Sequence, residues 1–259
     1  MQRSVGYTIG FAAAVCLVCS LFVATAAVQL GPRQEANKLL DLRKKVLSVA
    51  SLMEPGQDYS ADEINQLFEA NLQARVVDLA TGQYVDDIDP TTYDARRARS
   101  NPELSDAAPE NRAKVRRIAK RGVIYLVQPG DEIEGVIIPV EGMGLWGTLY
   151  GYLALAPDSR EIRGLTFYQH KETPGLGGEV DNPRWRALWP GRLAFDDQWN
   201  PAISVVKGRA GSVEEDPYHV DGLSGATITS KGVGNLLQFW LGENGYGPYL
   251  AAYRSEHEI

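Results

Sequence analysis

Cysteine is nearly missing from this sequence. Only Cys16 and Cys19 occur, both inside the first apolar run, so the remainder of the chain has no disulfide available. A Cys-x-x-Cys pair can serve metal or redox chemistry, but such sites need thiolates with polar support. In an apolar segment cysteine behaves as a small hydrophobe. Histidine is also scarce, with three in all: His170, His219 and His257. No His-Glu-x-x-His, Gly-x-Ser-x-Gly or Gly-x-x-x-x-Gly-Lys-Ser/Thr pattern is present. The common catalytic sets are therefore absent, and no Cys/His cluster for zinc or iron–sulfur lies outside the first apolar run. Positive charge is in deficit, with 26 Lys and Arg against 33 Asp and Glu for a net charge of -7. That argues against nucleic acid, whose phosphates require a basic face. A run of Lys and Arg between Arg96 and Arg121 is interspersed with Asp, Glu, Asn and Pro, and reads as a solvated loop.

What the chain does have is a long uncharged start. Residues 5–30 contain no charged side chain. About 20 apolar helical residues suffice to cross a bilayer, because a helix satisfies its own backbone groups in lipid. Ala24-Thr25-Ala26 resembles a signal-cleavage site, but the apolar run continues through it to Leu30, which favours a retained membrane anchor. Gly31-Pro32 ends the run. Arg33, Lys38, Arg43, Lys44 and Lys45 follow it and only Arg3 precedes it, so a literal positive-inside count puts the body in the cytoplasm. Large domains translocate regardless of such charges, and orientation stays open at this point.

The body changes character along its length. Residues 33–50 have helical character. Ser60 with Glu63 forms a capping box ahead of Ile64, Leu67, Phe68 and Leu72 at helical spacing. Residues 74–79 read as a strand, Thr81-Gly82 as a turn, and 86–112 as a polar surface excursion with Pro90, Pro102 and Pro109. Short strand-like runs follow at 122–127, 135–140, 149–155, 164–168 and 203–206, separated by loops rich in Gly and Pro. Val233, Leu236, Leu237, Trp240 and Leu241 then recur as one helical stripe. The expected fold is α+β: an N-terminal transmembrane helix, then a globular domain with a mainly antiparallel sheet flanked by helices. The expected division is 1–32 for the N-terminus and anchor, 33–120 for a juxtamembrane mixed region, and 121–259 for the site-bearing domain.

Three segments break the ordinary rhythm. Glu141-Gly-Met-Gly-Leu-Trp-Gly-Thr148 combines backbone freedom with a flat apolar wall, although a tight turn beside a core Trp would look the same. His170-Lys-Glu-Thr-Pro-Gly-Leu-Gly-Gly178 sets titratable groups beside a turn, as many simple loops do. Asp221-Gly-Leu-Ser-Gly-Ala-Thr-Ile-Thr-Ser230 places four hydroxyls just before the amphipathic helix. Ser230 or Thr229 is a natural N-cap there, and the helix N-terminus could receive a phosphate; a capped helix start without any ligand fits equally. With no catalytic set present, a bound organic cofactor that carries the chemistry accounts for this pattern.

The motif Asp221-Gly-Leu-Ser-Gly-Ala-Thr227 resembles the target of flavin transferases, which join FMN through a phosphoester to the motif's last threonine. Together with the N-terminal helix, Gly144-Leu-Trp-Gly147, Glu172-Thr-Pro-Gly-Leu-Gly-Gly-Glu-Val180 and Phe239-Trp-Leu-Gly-Glu-Asn-Gly-Tyr-Gly-Pro248, it makes the chain similar, nearly end to end, to the C subunits of bacterial sodium-translocating NADH:quinone reductases. The resemblance implies covalent FMN on Thr227, with Ser224, Gly225 and Ala226 shaping the phosphate end. It implies that Glu172, Thr173, Gly175, Leu176 and Gly177 contact the flavin, and that Leu145, Trp146, Gly147 and Thr148 line another side. It further implies an inner-membrane protein, one of six in its assembly, with the domain in the periplasm. Such a protein would be matured by a flavin transferase and would relay single electrons toward ubiquinone, with sodium export coupled elsewhere in the assembly. No residue acts as a catalytic group or metal ligand in that scheme, and no separate NADH activity is expected. Three other readings stand beside it: the G subunit of an Rnf-type electron-transport complex, which shares the flavin motif in a shorter chain; a membrane-tethered binding module with no redox role; and a hydrolase with Thr227 or Ser224 as nucleophile, which needs a nearby base that the chain does not visibly supply.

Overall fold

The computed structural model describes residues 4–54 and 56–257. It divides into two units, Met1–Leu42 and Arg43–Ile259. The first unit is helical from Val5 onward, as part of α1 (Val5–Val49). Its apolar side chains are exposed, Phe22 at 71% and Val28 at 77%, and the helix is long and apolar enough to cross a membrane. Pro32 lies inside α1 without ending it. The break expected at Gly31-Pro32 is thus one of composition, not of backbone.

The second unit is built on a five-stranded antiparallel sheet. Along the chain come α2 (Ala61–Asn71), β1 (Leu72–Asp78), α3 (Ala95–Arg99), β2 (Ser105–Ala107), β3 (Arg117–Ala119), β4 (Arg121–Val127), β5 (Gly135–Met143), β6 (Thr148–Leu155) and β7 (Ile162–Gln169). Then follow α4 (Pro183–Arg186), β8 (Ser204–Val205), β9 (His219–Val220), α5 (Thr227–Leu241) and α6 (Gly247–Glu256). The sheet runs β1-β4-β5-β6-β7, so a strand from the 33–120 stretch is paired directly with β4. The strand expected at 203–206 shrinks to β8, which pairs in parallel with β9 outside the main sheet.

Local chemistry accounts for the element starts. Ser60 accepts from the Glu63 amide at 3.3 Å, and the Glu63 carboxylate accepts from the Ser60 amide at 2.8 Å, closing the capping box ahead of α2. Along α5 the stripe Val233, Leu236, Leu237, Trp240 and Leu241 is buried, each side chain contributing about 1.5–3 kcal/mol over exposure. The helix lies so close to β5 that a Cβ on Gly142 would stand 2.5 Å from the Leu236 Cβ. The Trp240 indole N–H donates to the Glu141 carbonyl at 2.7 Å.

The opposite face of the sheet is aromatic. Tyr125 on β4 meets Tyr152 on β6 at 6.0 Å between ring centres, and Tyr152 meets Tyr168 on β7 at 5.1 Å. Burial pushes the hydroxyl pKa of Tyr125 up, and that of Tyr152 further. The basic run expected to be solvated packs partly on this face. The Arg96 guanidinium stands 3.8 Å over the Tyr150 ring, and Arg99 forms an ion pair with Glu141. Rings and a carboxylate become available to those arginines only once the strands assemble.

Candidate functional site

The β5–β6 connection is short. Met143 pairs with Thr148, and the Gly144 amide donates to the Gly147 carbonyl at 2.8 Å. Gly144 through Gly147 therefore form a tight loop. Its two large residues project outward, Leu145 being 42% and Trp146 64% exposed. Covering such side chains with an apolar ligand is favourable, because their surface otherwise stays in water.

The loop after β7 comes alongside. A Cβ on Gly147 would lie 3.3 Å from the Lys171 Cβ. Gly175 has φ +74, the left-handed geometry that glycine adopts without strain. The turn is closed by Gly178, whose amide donates to the Thr173 carbonyl at 2.9 Å. Leu176 is 45% exposed. Glu172 instead points inward and is buried, accepting from the Trp146 amide at 2.9 Å and from the Thr229 hydroxyl at 2.5 Å.

The third segment leads into α5. Gly225, at φ +72, approaches so closely that a Cβ there would meet the Leu176 Cδ2 at 2.9 Å. The helix opens at Thr227 with Ala226 as N-cap, and no side chain caps it. The amides of its first turn thus lack a side-chain acceptor, at the positive end of the helix dipole. Ser230 and Thr229, expected as caps, lie inside the helix and are buried. Ser230 accepts from the Leu223 amide at 2.9 Å, bracing the preceding turn, while the Thr229 hydroxyl is taken by Glu172. Both hydroxyls are committed inward. Thr227 and Ser224 remain exposed.

All three segments therefore converge, through the Trp146–Glu172–Thr229 chain and the Leu176–Gly225 approach. Thr173 and Gly175 shape the turn without reaching the other two loops in any of these contacts. Lys207 and Lys231, which motif reasoning passed over, line a shallow pocket with Thr227. Lysines are common on surfaces, and one of these sits twenty residues upstream, so only the fold singles them out. The arrangement suits a phosphate-bearing planar ligand: an accessible hydroxyl, open amides and two cations at one end, an exposed indole and two leucines at the other. Among the described residues no cluster of His, Cys, Asp and Glu could hold a metal ion.

Residues 144–242, which contain all three loops, match the FMN-binding domain family. Over 98% of its length the chain is 48% identical to the C subunit of the Na(+)-translocating NADH-quinone reductase of Pseudomonas aeruginosa, covering 97% of that protein. It is 45% identical to the protein of the same name from Yersinia pestis, over 97% of this chain and 94% of that one. The crystal structure of Shewanella oneidensis NqrC matches with a TM-score of 0.77 at 34% identity, covering 85% of this chain and 99% of that one. The chain belongs to the NqrC family, the C subunits of the Na(+)-translocating NADH-quinone reductases.

Proposed function

We propose that this protein carries FMN esterified through its phosphate to Thr227 and relays electrons singly between partner subunits of the reductase, whose sodium movement is coupled in other chains. The bound flavin would supply the one-electron chemistry, and the protein holds it and sets its surroundings. Ser224, Gly225 and Ala226 would shape the phosphate end, with Lys207 and Lys231 offsetting its charge. Leu145, Trp146, Gly147 and Thr148 would flank the ring on one side, and Thr173, Gly175, Leu176 and Gly177 with Glu172 on another. The observation that carries the reading is the exposed Thr227 hydroxyl on the uncapped first turn of α5, next to two inward-committed hydroxyls that are closed to modification.

The domain is assigned to the periplasm, α1 to the inner membrane, and attachment to a flavin transferase acting on the folded turn. We further assign the site-bearing domain to 121–259, with 33–120 contributing β1 and the cover of the aromatic face. Intact mass of the full chain, produced with and without a flavin transferase, tests the attachment. The expected result is a gain of one FMN less one water, lost entirely in Thr227→Ala and kept in Ser224→Ala. A Thr227→Ala protein that still carries the adduct refutes the assignment.

A further inference from the structure

Glu172 occupies an unusual position for an acidic side chain. It is 6% exposed, and its two oxygens are each held by a neutral donor, the Trp146 amide at 2.9 Å and the Thr229 hydroxyl at 2.5 Å. Both oxygens are thus engaged, one by an amide N–H and one by a hydroxyl. Two glycines make room for it: a Cβ on Gly144 would stand 2.6 Å from Oε1, and one on Gly177 would press into Oε2. The Glu172 amide donates to His170 Nδ1 at 3.2 Å, and His170 Nε2 lies 2.8 Å from Asp181. Among the described residues no Lys, Arg or His is within ion-pair distance of the Glu172 carboxylate. Burying a charge without a cation is costly, and a structural tie between loops needs only a neutral amide.

We propose that Glu172 is a positioning residue whose carboxylate locks the Trp146 hairpin to the first turn of α5 and lays a negative charge with no ion-pair partner beside the flavin, lowering its reduction potential. This rests on the reading that FMN is carried on Thr227. Thr229 is two residues from the attachment point and Trp146 is the largest exposed ring of the site, so the single carboxylate ties together both of its ends. A fixed negative charge opposes the arrival of an electron, the more strongly the closer it lies and the lower the local dielectric.

The test uses the full chain in detergent, produced with a flavin transferase, as wild type, Glu172→Gln and Thr229→Val. Covalent flavin is read by intact mass, folding by thermal melting, and the midpoint potential by spectroelectrochemical titration. Wild type without an adduct would refute the Thr227 reading, independently of any role for Glu172. With the adduct present, Glu172→Gln is expected to retain flavin and shift the potential to more positive values, because the amide keeps the packing and loses the charge. A loaded Glu172→Gln protein at the wild-type potential overturns the proposal. Should Glu172→Gln fail to fold or load, Thr229→Val decides. It keeps the charge but frees one oxygen, and is expected to lower adduct yield or alter the visible circular dichroism of the flavin. Wild-type values for both would overturn the proposal.

Discussion

Two buried glutamates, near the ends of the two strands that flank β6, are treated in opposite ways. Glu141 near the end of β5 is 9% exposed and paired with Arg99, and its surroundings are the aromatic face of the sheet. Glu172 just beyond β7 is 6% exposed and held by an amide and a hydroxyl. Around Glu141 the charge is neutralised and the segments are regular strand and helix. Around Glu172 the charge is retained and the segments are loops containing exposed Leu145, Trp146 and Leu176. A buried charge answered by a cation is a means of assembling the fold. One that is left unanswered, among apolar side chains kept in water, marks the part of the molecule shaped for a ligand.

The contrast can be broken most forcefully at Arg99. Arg99→Met leaves Glu141 buried without its partner, and is expected to destabilise the body by about 3 kcal/mol, read by thermal or denaturant melting. The potential of the attached flavin should stay unchanged, the reverse of Glu172→Gln; a shift in potential would erase the distinction. Next in size is Gly177→Ala, whose methyl would meet both Glu172 and Thr229. Overpacking of this kind costs about 2 kcal/mol, and covalent flavin yield should fall with it. Gly130→Ala, with nothing within 4 Å of the new Cβ, serves as the control with wild-type yield. A Gly177→Ala protein matching that control would show that the pocket around Glu172 is loose.

The smallest effect is confined to high pH and belongs to the Glu141 side. Burial raises Tyr125, Tyr152 and Tyr246 above the ordinary tyrosine value of 10.0. Between that value and the raised ones, the folded chain keeps protons that the unfolded chain has released. Stability is therefore full below pH 10 and declines as pH climbs beyond it. Melting temperature should be flat with respect to these groups from about pH 8 to 9.5 and fall above about 10. A flat profile to about pH 11 would mean the aromatic face admits water.

Much of the architecture is local and was readable from the residues. The capping box at Ser60 and Glu63, the four strand runs that became β4 to β7, and the α5 stripe each depend on contacts a few residues apart or on simple periodicity. The family resemblance likewise rests on contiguous motifs such as Ser224-Gly-Ala-Thr227. Other features escaped because their causes are distant in sequence. Arg99 looked solvated because its carboxylate partner, Glu141, lies far along the chain on another element. Thr229 and Ser230 looked like caps because cap preference says nothing about Glu172 or the Leu223 amide, which claim those hydroxyls. Lys207 had no motif to draw attention to it.

Hydrophobic periodicity, the uncharged opening run and the hydroxyl-rich turn are written in neighbouring residues, so the sequence alone determined an apolar N-terminal helix, an α+β body and a threonine at the head of the last long helix. The tertiary structure decided which hydroxyl stays accessible, which glutamate keeps an unpaired charge, and which loops meet. Those outcomes turn on the burial and close approach of segments far apart in the chain, and no local pattern encodes the desolvation that gives such contacts their energy.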